Sequence, residues 1–239
     1  MENYNFTESK DLNQLEVQSA QRTLLKNVYW WMALALVVTG LTSFYVASSE
    51  RAIQVIYGSS MVFYGLIITE FILVVVLSSM INKLSFAAAG IMFVVYSIVN
   101  GLTLSVLLIA YTSESVATAF FITAGIFTVM ALVGHFTQKD LTSIGQILTM
   151  ALIGLVIATI VNLFIGSSQF QYILSYVGVL VFVGLTAYDA QKIKNMIAVY
   201  GNEVNEHSQK IALLGALDLY LDFINLLIYI LRIMGKRRS

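Results

Sequence analysis

The stretch LDLYLDFINL (217–226) sets two carboxylates, Asp218 and Asp222, one helical turn apart in a run otherwise apolar from about Ile211 to Ile233. Two further acids share such surroundings: Asp189 in VGLTAYDAQKIK (183–194) and Glu70 in GLIITEFILVV (65–75). An Asp at the centre of a membrane helix costs about 2.5–3.5 kcal/mol on insertion scales, so each acid needs a proton, a cation, water or a polar partner. Lys83, Lys192 and Arg232 lie toward the ends of apolar runs. There, long basic side chains reach out to water, so bases are expected to neutralise these acids at most in part. Two carboxylates in close approach do not both ionise easily and titrate as a unit. A hard cation can replace the shared proton. Calcium takes about six to eight oxygens, so Asp189 and Asp222 with Asn225, carbonyls and water would form a weak or transient site. The residues leave two readings open: ion or proton handling, and acids that stay protonated and hydrogen-bond neighbouring helices.

The elements that must position these groups follow from composition. Of 239 residues, 59% are hydrophobic and 11% charged, against roughly 25% charged in soluble domains. Seven apolar runs, about 28–48, 61–81, 85–110, 115–134, 145–165, 171–190 and 211–233, reach the roughly 20 residues that cross a bilayer. Backbone groups in lipid must bond internally, and the runs do not alternate in polarity as barrel strands would. The fold expected is an all-α polytopic membrane protein, a seven-transmembrane-helix bundle over 28–233. A polar tail (1–27) precedes it and a basic tail (234–239) follows it. The N-terminus lacks the basic-then-apolar order of a cleaved signal peptide.

Helical spacing gathers Gly215, Asp218, Asp222 and Asn225 on one face, which should turn inward, and Leu217, Leu221, Ile224 and Ile228 on another. Helices six and seven are consecutive, so Asp189 can come within reach of Asp222 or Asp218. Asn100, Thr103, Ser105 and Asn162 read as interhelical glue. Tyr29, Trp30 and Trp31 read as an interfacial belt, and His135 and His207 as solvated link residues. The absence of cysteine excludes disulfides and thiolate chemistry. A net charge of zero argues against nucleic acid as a partner.

Lysine and arginine set the expected orientation. With a cytoplasmic N-terminus, Lys10, Arg22, Lys26, Lys83, Lys139, Lys192, Lys194 and Lys210 fall inside, and among the links only Arg51 falls outside. The C-terminal Arg232, Lys236, Arg237 and Arg238 conflict with seven full crossings. Either the last helix crosses despite them, or it re-enters and returns.

LTAYDAQKIK (185–194), LDLYLDFINLL (217–227), VYWWMALALVVTGLTSF (28–44) and NGLTLSVLLIAYTSESVATAFFITAGIF (100–127) together resemble the Bax inhibitor-1 family, also called the transmembrane Bax inhibitor motif proteins, in its bacterial branch. The likeness runs from about residue 22 to the end. The resemblance implies a pH-sensitive calcium leak in a bacterial plasma (inner) membrane, with calcium permeating or transiently bound and no tightly held cofactor. It also implies a hydrogen-bonded aspartate pair between helices six and seven, here Asp189 and Asp222. Asp218 matches a position that is acidic in some members and polar in others. A basic residue near the end of helix two latches to the pair in the family pattern, and Lys83 is the candidate here. Glu70 and Asn225 would be auxiliary.

An enzyme is disfavoured. AYD resembles one motif of intramembrane aspartyl proteases, but LYLD stands where Gly-x-Gly-Asp should be and the chain has no proline. HExxH and GxSxG are absent. A regulatory role through binding a membrane protease, as some bacterial relatives in the resembling family do, is the alternative, with the N-terminal tail as the contact. Inverted repeats and broken helices, the marks of many ion-coupled transporters, are not evident.

Overall fold

The computed structural model describes the backbone of residues 2–238 and side chains from Asn13 onward. Among these residues there are eight α-helices and one 3-10 turn, with no named strand. They are α1 (Glu2–Ala47), α2 (Glu50–Tyr57), α3 (Ser60–Met80), α4 (Phe86–Ala110), α5 (Ser113–Phe136), α6 (Thr142–Ile165), α7 (Ser168–Tyr200) and α8 (Glu206–Met234), with the 3-10 turn Ile81–Lys83 between α3 and α4. Every helix except the eight-residue α2 is long and apolar enough to cross a membrane. The protein is a multi-pass membrane protein of seven spanning helices.

Local chemistry sets most boundaries. Ser85, Thr112 and Ser167 accept from the backbone N–H three residues on, at the starts of α4, α5 and α7. Asn205 and Ser208 close a reciprocal capping box at the start of α8. Gly166 ends α6 at φ 69°, a left-handed conformation suited to glycine.

Two features differ from the sequence expectation. The segment 192–210 reads as a long link, yet α7 runs on to Tyr200 and only residues 201–205 connect it to α8. Likewise α1 passes through residue 27 without interruption, and Ala20, Leu24, Val28, Met32 and Ala35 form one buried stripe. Leu24 packs against Gly201 at the end of α7. Polar residues around this stripe masked its period of about 3.6.

The central element is α8. Within its most apolar window 61% of residues are buried, against 6% for α3 and for α6. It packs on α1, α4, α5 and α7, while α3 packs on α4 and α2 at the rim. Lipid tails are as apolar as leucine, so packing between spans comes from close contact of shapes rather than from expelling water. Accordingly Gly178 faces the ring of Tyr229 and Gly215 faces Ile193 across the α7–α8 contact.

The last helix is long enough to cross a bilayer completely. Its 29 residues span about 44 Å at 1.5 Å per residue. Beyond it, Arg237 pairs with Tyr111 in an antiparallel bridge, Thr112 N–H donates to Lys236 O (3.1 Å) and Arg238 N–H to Ala110 O (2.9 Å). The basic tail is therefore clasped to the α4–α5 turn. At the opposite end of the bundle, Gln21 bonds Ala198 O and Glu206 accepts from Phe86 N–H. Residues 236–238 and Gln21 thus sit at opposite ends of the helix bundle, the arrangement of a last helix that runs through it rather than turning back.

Candidate functional site

The run Ala187–Lys194 docks α7 against its neighbours, almost one residue at a time. Ala187 backbone meets α5 at Gly134, and the ring of Tyr188 lies over Gly145 of α6. Gln191, 7% exposed, donates to Lys139 O and accepts from Leu141 N–H, both at 2.8 Å, and so holds the α5–α6 turn. In that turn Asp140 Oδ1 accepts from Thr142 Oγ1 (2.6 Å) and N–H (2.9 Å), which keeps this exposed carboxyl below the usual carboxylate range. Ile193 packs on Gly215, and Lys194 Nζ donates to His135 O (2.7 Å) at the end of α5. Asp189 and Lys192, between these anchors, are aimed at α8. Gln191→Ala should cost about 1 kcal/mol, since it strips the Leu141 N–H and the Lys139 C=O of a part-buried partner. Thermal melting in detergent, with faster hydrogen exchange at the Leu141 amide, would register it; an unchanged amide would contradict the docking role.

On α8, Asp218, Asp222 and Asn225 face a cavity of about 600 Å³. Its wall also holds Glu70 of α3, Tyr96 of α4, Thr149 of α6, and Asp189 and Lys192 of α7. All four acids singled out from the sequence thus line one space. Asp222 is 4% exposed. Asp189 lies on the same cavity wall. Asp222 Oδ2 is buried with no donor. Two ionised carboxylates offer each other no hydrogen, so a bond within the pair requires a proton on one of them.

The base beside these acids is not the one expected. Lys83 sits exposed in the 3-10 turn, lines no part of the cavity and makes no ion pair among the described residues. Lys192 stands in that place, with Nζ 2.9 Å from Asp218 Oδ2 and 3.6 Å from Asp189 Oδ1. Because α7 continues three turns beyond Asp189, Lys192 is held on a helix rather than in a link. The i, i+3 spacing from Asp189 was the available signal, hidden by ending the helix near residue 190. One base against three carboxyls leaves the group acidic.

Glu70 is tied into the same interior. Thr103 Oγ1 donates to one carboxyl oxygen, and Asn100 Nδ2 lies 3.5 Å from the other. Asn100 Oδ1 accepts from Tyr220 Oη (3.0 Å), which contacts Thr39 Oγ1 (2.7 Å) on α1. Tyr220, fully buried between the two aspartates in sequence, belongs to an apolar run by hydropathy; only packing reveals its role as the polar hub of α1, α4 and α8. The inward stripe of α8 is narrower than expected. Gly215 packs on Ile193 away from the cavity, whereas Leu221 lines it. Asn225 donates to Leu221 O on its own helix. His135 ends α5 half-buried, and His207 is exposed. Among the described residues no three acidic or histidine side chains converge to hold a metal ion.

Residues 21–239 match the family described as inhibitor of apoptosis-promoting Bax1. The chain belongs to the Bax inhibitor-1 family. It is similar to the Escherichia coli K12 inner membrane protein YbhL, 43% identical over 94% of this chain and 96% of that one. It is also similar to uncharacterized proteins of Deinococcus radiodurans (39% identical, 99% and 98% covered) and Borreliella burgdorferi (37% identical, 93% and 97% covered). In this Bax inhibitor-1 protein, the matched region takes in both aspartate motifs, α3 to α8 and α1 from residue 21 onward. The departure from the expected family pattern is local: helix two (α3) presents an acid, Glu70, to the cavity, and the base comes from α7.

Proposed function

We propose that this Bax inhibitor-1 protein is a pH-sensitive calcium leak of a bacterial inner membrane, with Asp189 and Asp222 as its proton sensor. The observation that carries the reading is the cavity itself, where four carboxyls and a single lysine share about 600 Å³ among membrane-spanning helices. Acids gathered within a membrane interior mark ion or proton pathways. When Asp189 and Asp222 share a proton they bind each other; when both are ionised they repel and attract a divalent cation instead. That exchange biases the contact between α7 and α8, provided the open and closed states hold different numbers of protons. Asp218, 2.9 Å from Lys192 Nζ, adds an ion pair beside the two aspartates. Calcium and protons are the partners this reading requires.

Calcium flux into proteoliposomes from about pH 5 to pH 8 tests it. Wild type should vary on the order of tenfold, within the usual range of conformational coupling. Asp189→Asn and Asp222→Asn should each hold the response within about twofold, since neither pair can exchange a proton for a cation. Folded wild-type protein with no flux above empty liposomes at any pH would sink the leak. Binding to a membrane protease would then lead, and a pull-down with and without residues 1–27 would examine it.

A further inference from the structure

We infer that the cavity has a second gate on the side of the α4–α5 turn, where Glu70 receives the cation and Tyr57 of α2 shuts its way out; this rests on the leak reading above. The cavity wall includes Glu70 but neither Thr103 nor Ser105, the next hydroxyls along α4 toward its end at Ala110. Both hydroxyl residues are buried, Thr103 at 9% exposure and Ser105 at 0%. Beyond Glu70 the polar groups continue without a break. Thr103 bonds Glu70 through its hydroxyl, and its carbonyl lies 3.1 Å from Tyr57 Oη. The same phenol is 3.1 Å from Leu102 O and 2.8 Å from Ser105 Oγ.

These three oxygens, with the Glu70 carboxylate one residue step away, are hard ligands of the kind that calcium takes. Ser105 Oγ itself donates to Leu102 O (2.6 Å), and the Tyr57 phenol lies against all three oxygens, so it covers a set of acceptors that a cation leaving Glu70 would use. Withdrawal of the phenol would expose them; its return would close them. The carrier is suited to this. The eight-residue α2 packs mainly on α1 and α3, and Gly58 and Ser59 join it to α3. Tyr57 is steadied by Phe63 (ring centroids 5.6 Å apart) rather than by the core. At the far side of the same cavity, Asp222 Oδ2 is buried without a donor, a second sign that the space is built to meet a ligand.

Tyr57→Phe keeps the ring and removes the clasp. In proteoliposomes it should raise calcium flux about fivefold, as for the loss of one net hydrogen bond, and Glu70→Gln should lower flux by a similar factor. If wild type conducts and Tyr57→Phe stays within about twofold of it, the gate is refuted while the leak stands. A second measurement needs no conduction. The chain has no cysteine, so Asn225→Cys alone supplies a thiol in the cavity. Its labelling rate by a small water-soluble thiosulfonate should rise several-fold when Tyr57→Phe is added. Equal rates overturn the gate, and absence of flux with unequal rates overturns only the leak.

Discussion

Gly134→Ala is expected to destabilise the bundle by about 3 kcal/mol, the upper end for overpacking. A Cβ built at Gly134 falls 2.0 Å from Ala187 O and 2.8 Å from its carbonyl carbon, and every atom it meets is backbone. No rotamer change relieves such a contact; α5 and α7 must separate. The gain in helix propensity from glycine to alanine is about 1 kcal/mol at most, too small to offset it. Ala187 lies two residues before Asp189, so the same shift should move that carboxyl away from Asp222 and weaken any pH response. Gly125→Ala on the same helix is the control, because nothing lies within 4 Å of its built Cβ. It should be neutral or slightly stabilising. Thermal melting of both variants in detergent separates the outcomes; equal melting temperatures would show that the α5–α7 contact is not set by Gly134.

Lys192→Met is expected to cost about 2 kcal/mol near neutral pH, and less as the medium is acidified. Complete removal of one partner from a buried ion pair costs roughly 3–5 kcal/mol, whereas exposed pairs contribute less than about 1. Lys192 and Asp218 fall between, with side chains 39% and 31% exposed. Methionine keeps most of the stem and its packing, so the change isolates the charge. The sign with pH follows from linkage: a lysine stabilises only an ionised carboxylate, so the loss of its charge matters less as acid neutralises the groups it faces. Melting temperature against pH should show the two proteins converging toward low pH. Parallel curves would mean that Lys192 acts through packing alone. For the leak, the variant cavity keeps its acids without their counter-charge, and calcium flux should rise on the order of tenfold.

Much of this protein is legible in its sequence, because the bilayer asks simple questions of a chain. Runs of about 20 apolar residues had to be helices, and Asp189, Asp218, Asp222 and Glu70 stood out as charges with no place in lipid. Their types, their spacing and the two flanking motifs were sufficient to direct attention to one interior and to the family. What the residues around them did was hidden. Lys192 looked like a side chain at a helix end because hydropathy marks where lipid stops, not where a helix stops. Hydrogen bonds and packing on α1 and α8 carried α7 on to Tyr200. The same limit concealed the continuation of α1 below residue 27, where the buried stripe faces protein rather than lipid.

Composition and period along a single chain therefore determined the number of helices, the polar residues that cannot face lipid, and the family. Only the tertiary structure decided which carboxyls share a cavity, which base attends them, that α8 is the central helix, and that the basic tail lies against the α4–α5 turn. Those depend on distances between helices far apart in sequence. Such distances are set by where a glycine lets two backbones meet and by which oxygen a side chain from another helix can reach, and neither has a signature in local periodicity.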